Sequence, residues 1–174
     1  MDSIPTSLSE AERTLLLTTL NNTEQEYPRH ATLPQLFEEQ AQRWPEKVAV
    51  RLEDETLTYA QLNACANGLA QRLQQHGVQT GTIVGLLCER SLEMIIGMIA
   101  ILKAGGAYLP IDPTLPTERI HHMLKESAAP VLLCYQNPTH ALHYSGSLLN
   151  LEDPAMIAPS SLAPPPTLDR KSVV

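Results

Sequence analysis

Hydrophobic and polar residues alternate along the chain with two different periods, and the changes of period mark its elements. Residues 62–73 place an apolar side chain every three or four positions, which is the spacing of one apolar helix face. Residues 83–88 are instead continuously apolar, which is typical of a strand buried on both faces. Residues 107–111 and 131–135 are short apolar runs of the same kind. We therefore predict three strands with helices between them.

Capping signals set the limits of the predicted helices. Thr58 is followed three residues later by Gln61, the arrangement of a capping box, and this helix is expected to end at Gly77. Ser91 is expected to cap the next helix, which runs to about Lys103. Because that helix is apolar nearly all round, we expect neighbouring elements to cover it on several sides.

The order of the elements predicts the fold class. Thr117 is expected to cap a further helix, which continues through Ser127 and leads into the strand at 131–135. Strands and helices that alternate with short connections imply right-handed crossovers and a parallel sheet. One more short strand is predicted at 148–151. The predicted fold class is α/β, an open, mostly parallel sheet with flanking helices, and we expect this sheet to be incomplete.

Two short helices and a hairpin are predicted before the sheet. Residues 8–21 are expected to be helical, because Ser9 and Glu12 repeat the capping-box pattern. Residues 34–44 carry an apolar stripe at helical spacing, with a cap expected at position 32 or 33. Two short runs on either side of the polar turn 53–55 predict the hairpin.

The chain is expected to divide into three regions. Residues 1–30 are a linker-like leader with a short helix, and residues 31–150 are a partial domain. Residues 151–174 are a proline-rich tail, which we expect to be disordered or extended from Pro154 onward. Within it, residues 164–166 could bind an aromatic groove, although an unoccupied linker is the simpler interpretation.

Composition and charge exclude several classes of function. Hydrophobic residues make up 43% of the chain, which is enough for a core. The net charge is -7, and the acidic and basic residues are interspersed along the chain. The sequence has no basic stripe of the kind that binds a nucleic acid, and no polybasic segment of the kind that binds a membrane surface. The longest apolar run, 94–102, is about half a membrane span. Three scattered cysteines and the absence of a signal-like leader favour a reducing, cytoplasmic setting.

The glycines do not match a phosphate-binding loop. Such a loop lies between a strand and the helix that follows it. Gly81 and Gly85 instead precede and enter a strand, and residues 103–106 (KAGG) connect a helix to a strand. We interpret this last segment as a helix end, with Lys103 favoured by the helix dipole and Gly105 supplying the left-handed cap.

The remaining polar candidates are also weak. His121 and His122 diverge by about 100° on a helix, and Glu118 with His122 gives two metal ligands without a third. Residues 145–147 (SGS) lack the spacing of a nucleophile elbow and are interpreted as loop. Asp112 follows a strand's carboxyl end, where α/β sheets bind ligands, but we expect its carboxylate to stabilise a turn.

Two segments resemble the core motifs of one enzyme family. Residues 57–62 (LTYAQL) resemble the first core motif of the adenylate-forming enzymes, with Gln61 where Glu is more usual. Residues 102–113 (LKAGGAYLPIDP) resemble the second core motif nearly letter for letter. Together they make the chain similar to the start of an adenylation domain of a nonribosomal peptide synthetase, over about residues 8–135. Local departures are Leu20, where Trp is common, and Leu115, where Tyr is common.

The resemblance implies a parent reaction in which an amino-acid carboxylate attacks the α-phosphate of ATP. This gives an aminoacyl adenylate and pyrophosphate, and acyl transfer to a carrier-protein thiol follows. ATP and Mg²⁺ are therefore implied for the parent family. The family's triphosphate loop, Mg²⁺-side acidic residue, ribose-binding Asp, specificity pocket and late catalytic Lys have no counterpart in the sequence.

We accordingly predict no catalytic, cofactor-binding or metal-binding residue in this chain, and no activity of the chain alone. The proline-rich tail does not continue as the family does, which suggests truncation, a frameshift or an altered transcript. The two core motifs are expected to be structural parts of the sheet.

Two alternatives belong to other classes of function. The chain could be a non-catalytic interaction protein that pairs with the remainder of a split synthetase, and we also expect self-association through exposed sheet edges. It could instead be a small nucleotide-binding module, which is disfavoured because no glycine fingerprint follows any strand.

Overall fold

The computed structural model describes residues 8–136 and 144–158. The first helix is short and continues as a π-helical turn, and a hairpin precedes the alternating part. The elements are α1 (Glu10–Thr14) with its π-helical continuation (Leu15–Thr19), α2 (Leu33–Arg43), β1 (Val48–Leu52), β2 (Glu55–Thr58), α3 (Tyr59–Gln75), β3 (Ile83–Cys88), α4 (Leu92–Lys103), β4 (Ala107–Ile111), α5 (Thr117–Glu126), β5 (Val131–Tyr135), β6 (Ser147–Asn150) and α6 (Pro154–Ile157).

Four of the described strands form a parallel sheet in the order β4-β3-β5-β6. Strand β3 lies in the interior and pairs with both β4 and β5, and five of its six residues are buried. Strands β1 and β2 form a separate antiparallel hairpin. These findings confirm the predicted α/β class, the parallel sheet and the hairpin.

Helices cover both faces of the sheet. On one face, α3 and α4 pack through Leu69, Ile96 and Ile101 against inward-facing residues of β3 and β5. On the opposite face, α5 packs through Ile120 and Leu124 in a smaller cluster. Helix α4 therefore has α3, the sheet and the hairpin around it, as its apolar sequence requires.

The capping patterns found in the sequence are present as hydrogen bonds. Ser9 and Glu12 exchange both bonds of a capping box, as do Thr58 and Gln61. Helix α2 has a third box, in which Thr32 is the cap and pairs with Gln35 three residues later. This box was not predicted, although its Thr-x-x-Gln spacing is the same.

Two predicted boundaries are wrong. Thr117 is the first residue of α5 rather than its cap, because Pro116 occupies the cap position without a side-chain hydrogen bond. The hairpin turn is shorter than predicted, since Glu55 already belongs to β2 and the turn is formed by residues 53 and 54. Glu53 adopts a left-handed conformation there, with φ of 51°.

The segment predicted to be extended from Pro154 is helical at its start. Asp153 caps α6 by accepting a hydrogen bond from the Ala155 backbone N–H at 2.9 Å, and Pro154 stands in the first turn. Arg72 Nη1 donates to the Met156 carbonyl oxygen at 3.0 Å, which ties α6 to α3. Residues 1–7, 137–143 and 159–174, which include most of the predicted tail, lie outside the described residues.

The described leader makes little contact with the rest of the protein. Every residue from 8 to 30 is exposed, including Leu16 and Leu20 in and after the π-helical turn. Less exposed residues begin at residue 31, and the division into leader, partial domain and tail stays a prediction.

Candidate functional site

The carboxyl edge of the sheet is the place where an open α/β fold binds ligands. Strands β3 and β4 end there next to the first turn of α4, and an open groove of about 560 Å³ lies between them. Its walls are mainly apolar, with one cationic side chain, Arg90, and two acidic ones, Glu89 and Asp112. The lining residues include Cys88, Arg90, Met94, Met98, Pro110 and Asp112.

Asp112 stabilises its own turn at this edge. Its Oδ1 atom accepts hydrogen bonds from the Thr114 backbone N–H at 2.8 Å and from the Thr114 hydroxyl at 2.7 Å. These bonds hold the pKa of the Asp112 carboxyl below its ordinary value. The structural interpretation of Asp112 is therefore confirmed, and its carboxylate oxygen is engaged locally.

The cysteines of the sheet are buried and unreactive. Burial, with Cys134 and Glu93 adding, raises the pKa of the Cys88 thiol to about 12, and burial with Glu152 adding raises that of Cys134 to about 11. Both thiols therefore stay protonated at neutral pH and are poor nucleophiles. They belong to the clusters on opposite faces of the sheet, and all three cysteines are buried free thiols.

The turn after α4 lies at the opposite, amino edge of the sheet. Gly105 has φ of 91°, which confirms the predicted left-handed cap. The Gly106 N–H donates to the Ile101 carbonyl at 2.9 Å, so the turn has the hydrogen bond of a Schellman motif. The Gly81 N–H donates to the Gly105 carbonyl at 3.2 Å, which joins the two glycine turns to each other. Both are structural, because this edge is not the ligand edge of the sheet.

Lys103 has a role that sequence reasoning missed. It is the last residue of α4, as the dipole interpretation requires, but its side chain is only 1% exposed and forms an ion pair with Glu38 of α2. Its Nζ atom also lies 5.9 Å from the centroid of the Phe37 ring. The available signal was a lysine that ends an otherwise apolar helix, because such a helix end is buried.

The predicted helix-face histidines are separated as expected. His122 is exposed, whereas His121 is half-buried and its Nε2 atom is buried without a hydrogen-bond partner in the described structure. His121 lines a second cavity of about 650 Å³, at the amino end of β5 and β6. Within residues 8–136 and 144–158, no group of three His, Cys, Asp or Glu side chains could hold a metal ion.

Tyr144 closes one side of that second cavity. Its hydroxyl donates to the Ala129 carbonyl at 2.6 Å, and burial raises its pKa to about 12. Ser145 and Gly146 form the loop beside it, as predicted, while Ser147 already belongs to β6 and donates its backbone N–H to the Pro130 carbonyl at 2.9 Å. These two hydrogen bonds, from the Tyr144 hydroxyl and the Ser147 N–H, both end on backbone carbonyls. Neither of them activates a serine hydroxyl as a nucleophile.

The described part of the chain also has no helix that is both long and apolar enough to cross a membrane. The prediction that the chain carries no catalytic, cofactor-binding or metal-binding residue stays a prediction.

Comparison with known sequences gives one family. The family model of the AMP-binding enzymes matches residues 37–167. Bacitracin synthase 3 of Bacillus licheniformis is 52% identical over 126 residues, which are 72% of this chain and 2% of that protein. Malpinin synthetase of Mortierella alpina is 45% identical over 166 residues, which are 95% of this chain and 2% of that protein. The chain thus spans a few per cent of the length of these relatives.

Comparison with solved structures gives the same result. The nonribosomal peptide synthetase FmoA3, in its AMPPNP-bound form, superimposes with a TM-score of 0.77 and 30% sequence identity. The match covers 90% of this chain and 17% of that chain. The parallel sheet and its helices are therefore a part of a larger architecture in that protein.

Proposed function

Because this chain belongs to the AMP-binding enzyme family, we propose that it forms the amino-terminal, structural part of an amino-acid-adenylating domain in a nonribosomal peptide synthetase. The observation that carries the proposal is the match to FmoA3, which covers 90% of this chain and only 17% of the larger structure. The second core motif, residues 102–113, builds the turn before β4, the strand itself and the turn after it.

In such a domain, the carboxylate of an amino acid attacks the α-phosphate of ATP, and pyrophosphate leaves. The aminoacyl adenylate then passes its acyl group to a carrier-protein thiol. Residues 31–136 contribute to this reaction only structurally. Their sheet fixes the positions of the strand ends at its carboxyl edge, where the substrate-binding loops of α/β enzymes lie.

The residues present do not fit a triphosphate or its Mg²⁺ ion. No glycine-rich turn follows β3, β4 or β5 within the described residues, so no row of backbone N–H groups is available for phosphates there. At the groove, Asp112 already accepts two hydrogen bonds from Thr114, and together with Glu89 it does not reach a group of three candidate metal ligands within the described residues. We therefore route no step of the reaction through a residue of this chain.

The proposal predicts that the 174-residue chain does not activate amino acids. The measurement is amino-acid-dependent ATP–pyrophosphate exchange with each of the common amino acids, beside a complete adenylation domain as the positive control. Exchange clearly above the level without amino acid, in a preparation free of contaminating synthetase, would contradict the proposal.

A second candidate is a protein that associates with the remainder of a split synthetase. It is favoured by the sheet edge at β6, where Leu148 is 38% exposed, and by the exposed leucines of the leader. The same surfaces lead us to propose self-association of the isolated chain in the cytoplasm. Sedimentation of the chain alone at about tens of micromolar tests self-association, and a stable monomer that binds no hydrophobic dye would contradict it. Co-sedimentation with the remainder of an adenylation domain tests the second candidate, and two separate boundaries would contradict it.

A further inference from the structure

An ion pair between Lys103 and Glu38 joins two helices that are far apart in the sequence. Glu38 lies in the middle of α2 and Lys103 ends α4, 65 positions later. The Lys103 side chain is 1% exposed and the Glu38 side chain is 18% exposed. The second ion pair found in the described residues, Arg29 with Glu24, is exposed at both side chains. The Lys103–Glu38 pair is therefore the one that is shielded from water.

The surroundings of Lys103 leave its ammonium group dependent on this carboxylate. Burial lowers the pKa of Lys103, and the hydrogen bond and charge of Glu38 act in the opposite direction. The ring of Phe37 lies 5.9 Å from Nζ and adds a weaker attraction for the cation. Phe37 in turn lies 5.9 Å from the ring of Tyr59, at the start of α3. The charged contact thus lies beside one aromatic ring, and that ring contacts the start of α3.

Helix α2 buries few apolar side chains against the rest of the protein. Within α2, all of which the structure describes, Ala41 is the one buried residue. Leu33 is 69% exposed, and Leu36 and Phe37 are half-buried. Because burial of apolar area is the main source of helix docking in water, a helix with so little of it depends more on its polar contacts.

The carboxyl end of α2 has a separate connection. The Ala60 N–H donates to the Pro45 carbonyl at 3.0 Å, and the Tyr59 N–H donates to the Lys47 carbonyl at 2.9 Å. These backbone bonds attach the segment after α2 to the first turn of α3 independently of Glu38. Helix α2 can therefore leave its position by pivoting near residue 44 while the hairpin and the sheet remain folded.

We propose that the Lys103–Glu38 ion pair is a conformational lock that keeps α2 docked on α3 and α4, and that breaking it releases α2 as a unit. Removal of one partner of a buried pair leaves the other charge uncompensated, which is the costly outcome. For Lys103 this cost is large because its side chain has almost no access to water. The lysine of the second core motif thus positions an element that precedes the sheet, in addition to ending α4.

The test is amide hydrogen exchange, read by mass spectrometry on the full 174-residue chain. Glu38→Gln keeps the size of the side chain and removes its charge, and Glu39→Gln makes the same change at the adjacent exposed position. We expect Glu38→Gln to speed exchange in residues 33–43 about tenfold or more, because the buried ammonium loses its partner. Exchange in β3 and β5 should speed by no more than the factor seen in residues 33–43 and should remain the slower of the two, because core strands exchange through global unfolding.

A second background separates the ion pair from any other effect of Glu38. In a Lys103→Met chain no buried ammonium remains, so adding Glu38→Gln should change exchange in residues 33–43 by less than about twofold. Equal exchange in Glu38→Gln and Glu39→Gln, or the same effect of Glu38→Gln in both backgrounds, would overturn the proposal. If Glu38→Gln alone fails to fold, the double variant decides. If the double variant Glu38→Gln/Lys103→Met folds and its residues 33–43 exchange as slowly as in Lys103→Met, the lock is supported. If the double variant also fails to fold, the proposal is contradicted.

Discussion

The two ends of strand β4 are built in opposite ways. At the amino end the chain is closely packed: Gly105 has φ of 91°, and a Cβ on Gly106 would lie 3.0 Å from the Thr82 carbonyl oxygen. At the carboxyl end, Asp112 is exposed and its carboxylate accepts hydrogen bonds from Thr114, beside an open groove of about 560 Å³. A side chain at Gly106 would be tightly crowded, whereas the other end leaves space for a ligand or for a further segment.

This difference assigns separate roles to the two halves of one motif. Residues 102–106 determine how α4 turns into the sheet, and residues 110–113 lie at the edge where α/β folds bind ligands. A substitution in the first half should therefore act on folding. In the second half, Ile111 is buried in the core, whereas a substitution of the exposed Asp112 should act on stability only weakly, because its side chain bonds within its own turn.

The largest expected effect is that of Gly106→Val. A Cβ at this position would lie 3.0 Å from the Thr82 carbonyl oxygen, 3.1 Å from the Val78 side chain and 3.2 Å from the Ile101 side chain. The Thr82 oxygen belongs to the backbone, so it moves less easily than a side chain. We expect a loss of about 2–3 kcal/mol in the free energy of unfolding, as for other overpacked cores. Urea unfolding followed by circular dichroism measures it, and a loss below about 1 kcal/mol would mean that the amino end is not close-packed.

Gly105→Val should have the next largest effect, through the backbone conformation. A side chain forced into the left-handed region costs roughly 1–2 kcal/mol, and a β-branched one costs more. Gly105→Ala is the matched control, since it carries the same conformational cost without the branch. A valine variant as stable as the unmodified chain would contradict the structural role of this turn.

The smallest effect is expected at the carboxyl end, for Asp112→Ala. Because hydrogen bonds from Thr114 lower the pKa of Asp112, its contribution to stability is present above the ordinary carboxyl pKa and is lost as the pH falls through the lowered value. The variant should be slightly less stable at neutral pH, and the difference should disappear once the pH has fallen below the lowered pKa. A difference that grows on acidification would show that the carboxylate does not stabilise the turn in its charged form.

Much of the sheet could be predicted from local sequence. Strand β3 begins at Ile83 and ends at Cys88, as its apolar run indicates, and Gly105 is the left-handed cap that the turn requires. Both features depend on a few neighbouring residues, so the sequence contains all the information they need. The helix at Pro154 had a signal of the same kind, because Asp153 before a proline is a common helix start.

The features that were missed depend on distant residues. The partner of Lys103 is 65 positions away, and no local pattern connects it to Glu38. The orphaned Nε2 atom of His121 and the bond from Tyr144 to Ala129 likewise depend on how α5 and the loop before β6 meet in space. Tertiary packing determines these contacts, and a single sequence does not display it.

Our central proposal is that this chain supplies the structural part of an adenylation domain and none of its substrate selection. A segment exchange tests it most directly. Residues 31–135 would replace the matching residues of an adenylation domain in a relative such as bacitracin synthase 3, which is 52% identical over 126 residues. The readout is ATP–pyrophosphate exchange with each common amino acid, with the unmodified domain as the control. We predict that the folded chimera keeps the amino-acid preference of the host, and a folded chimera that prefers a different amino acid would contradict the account.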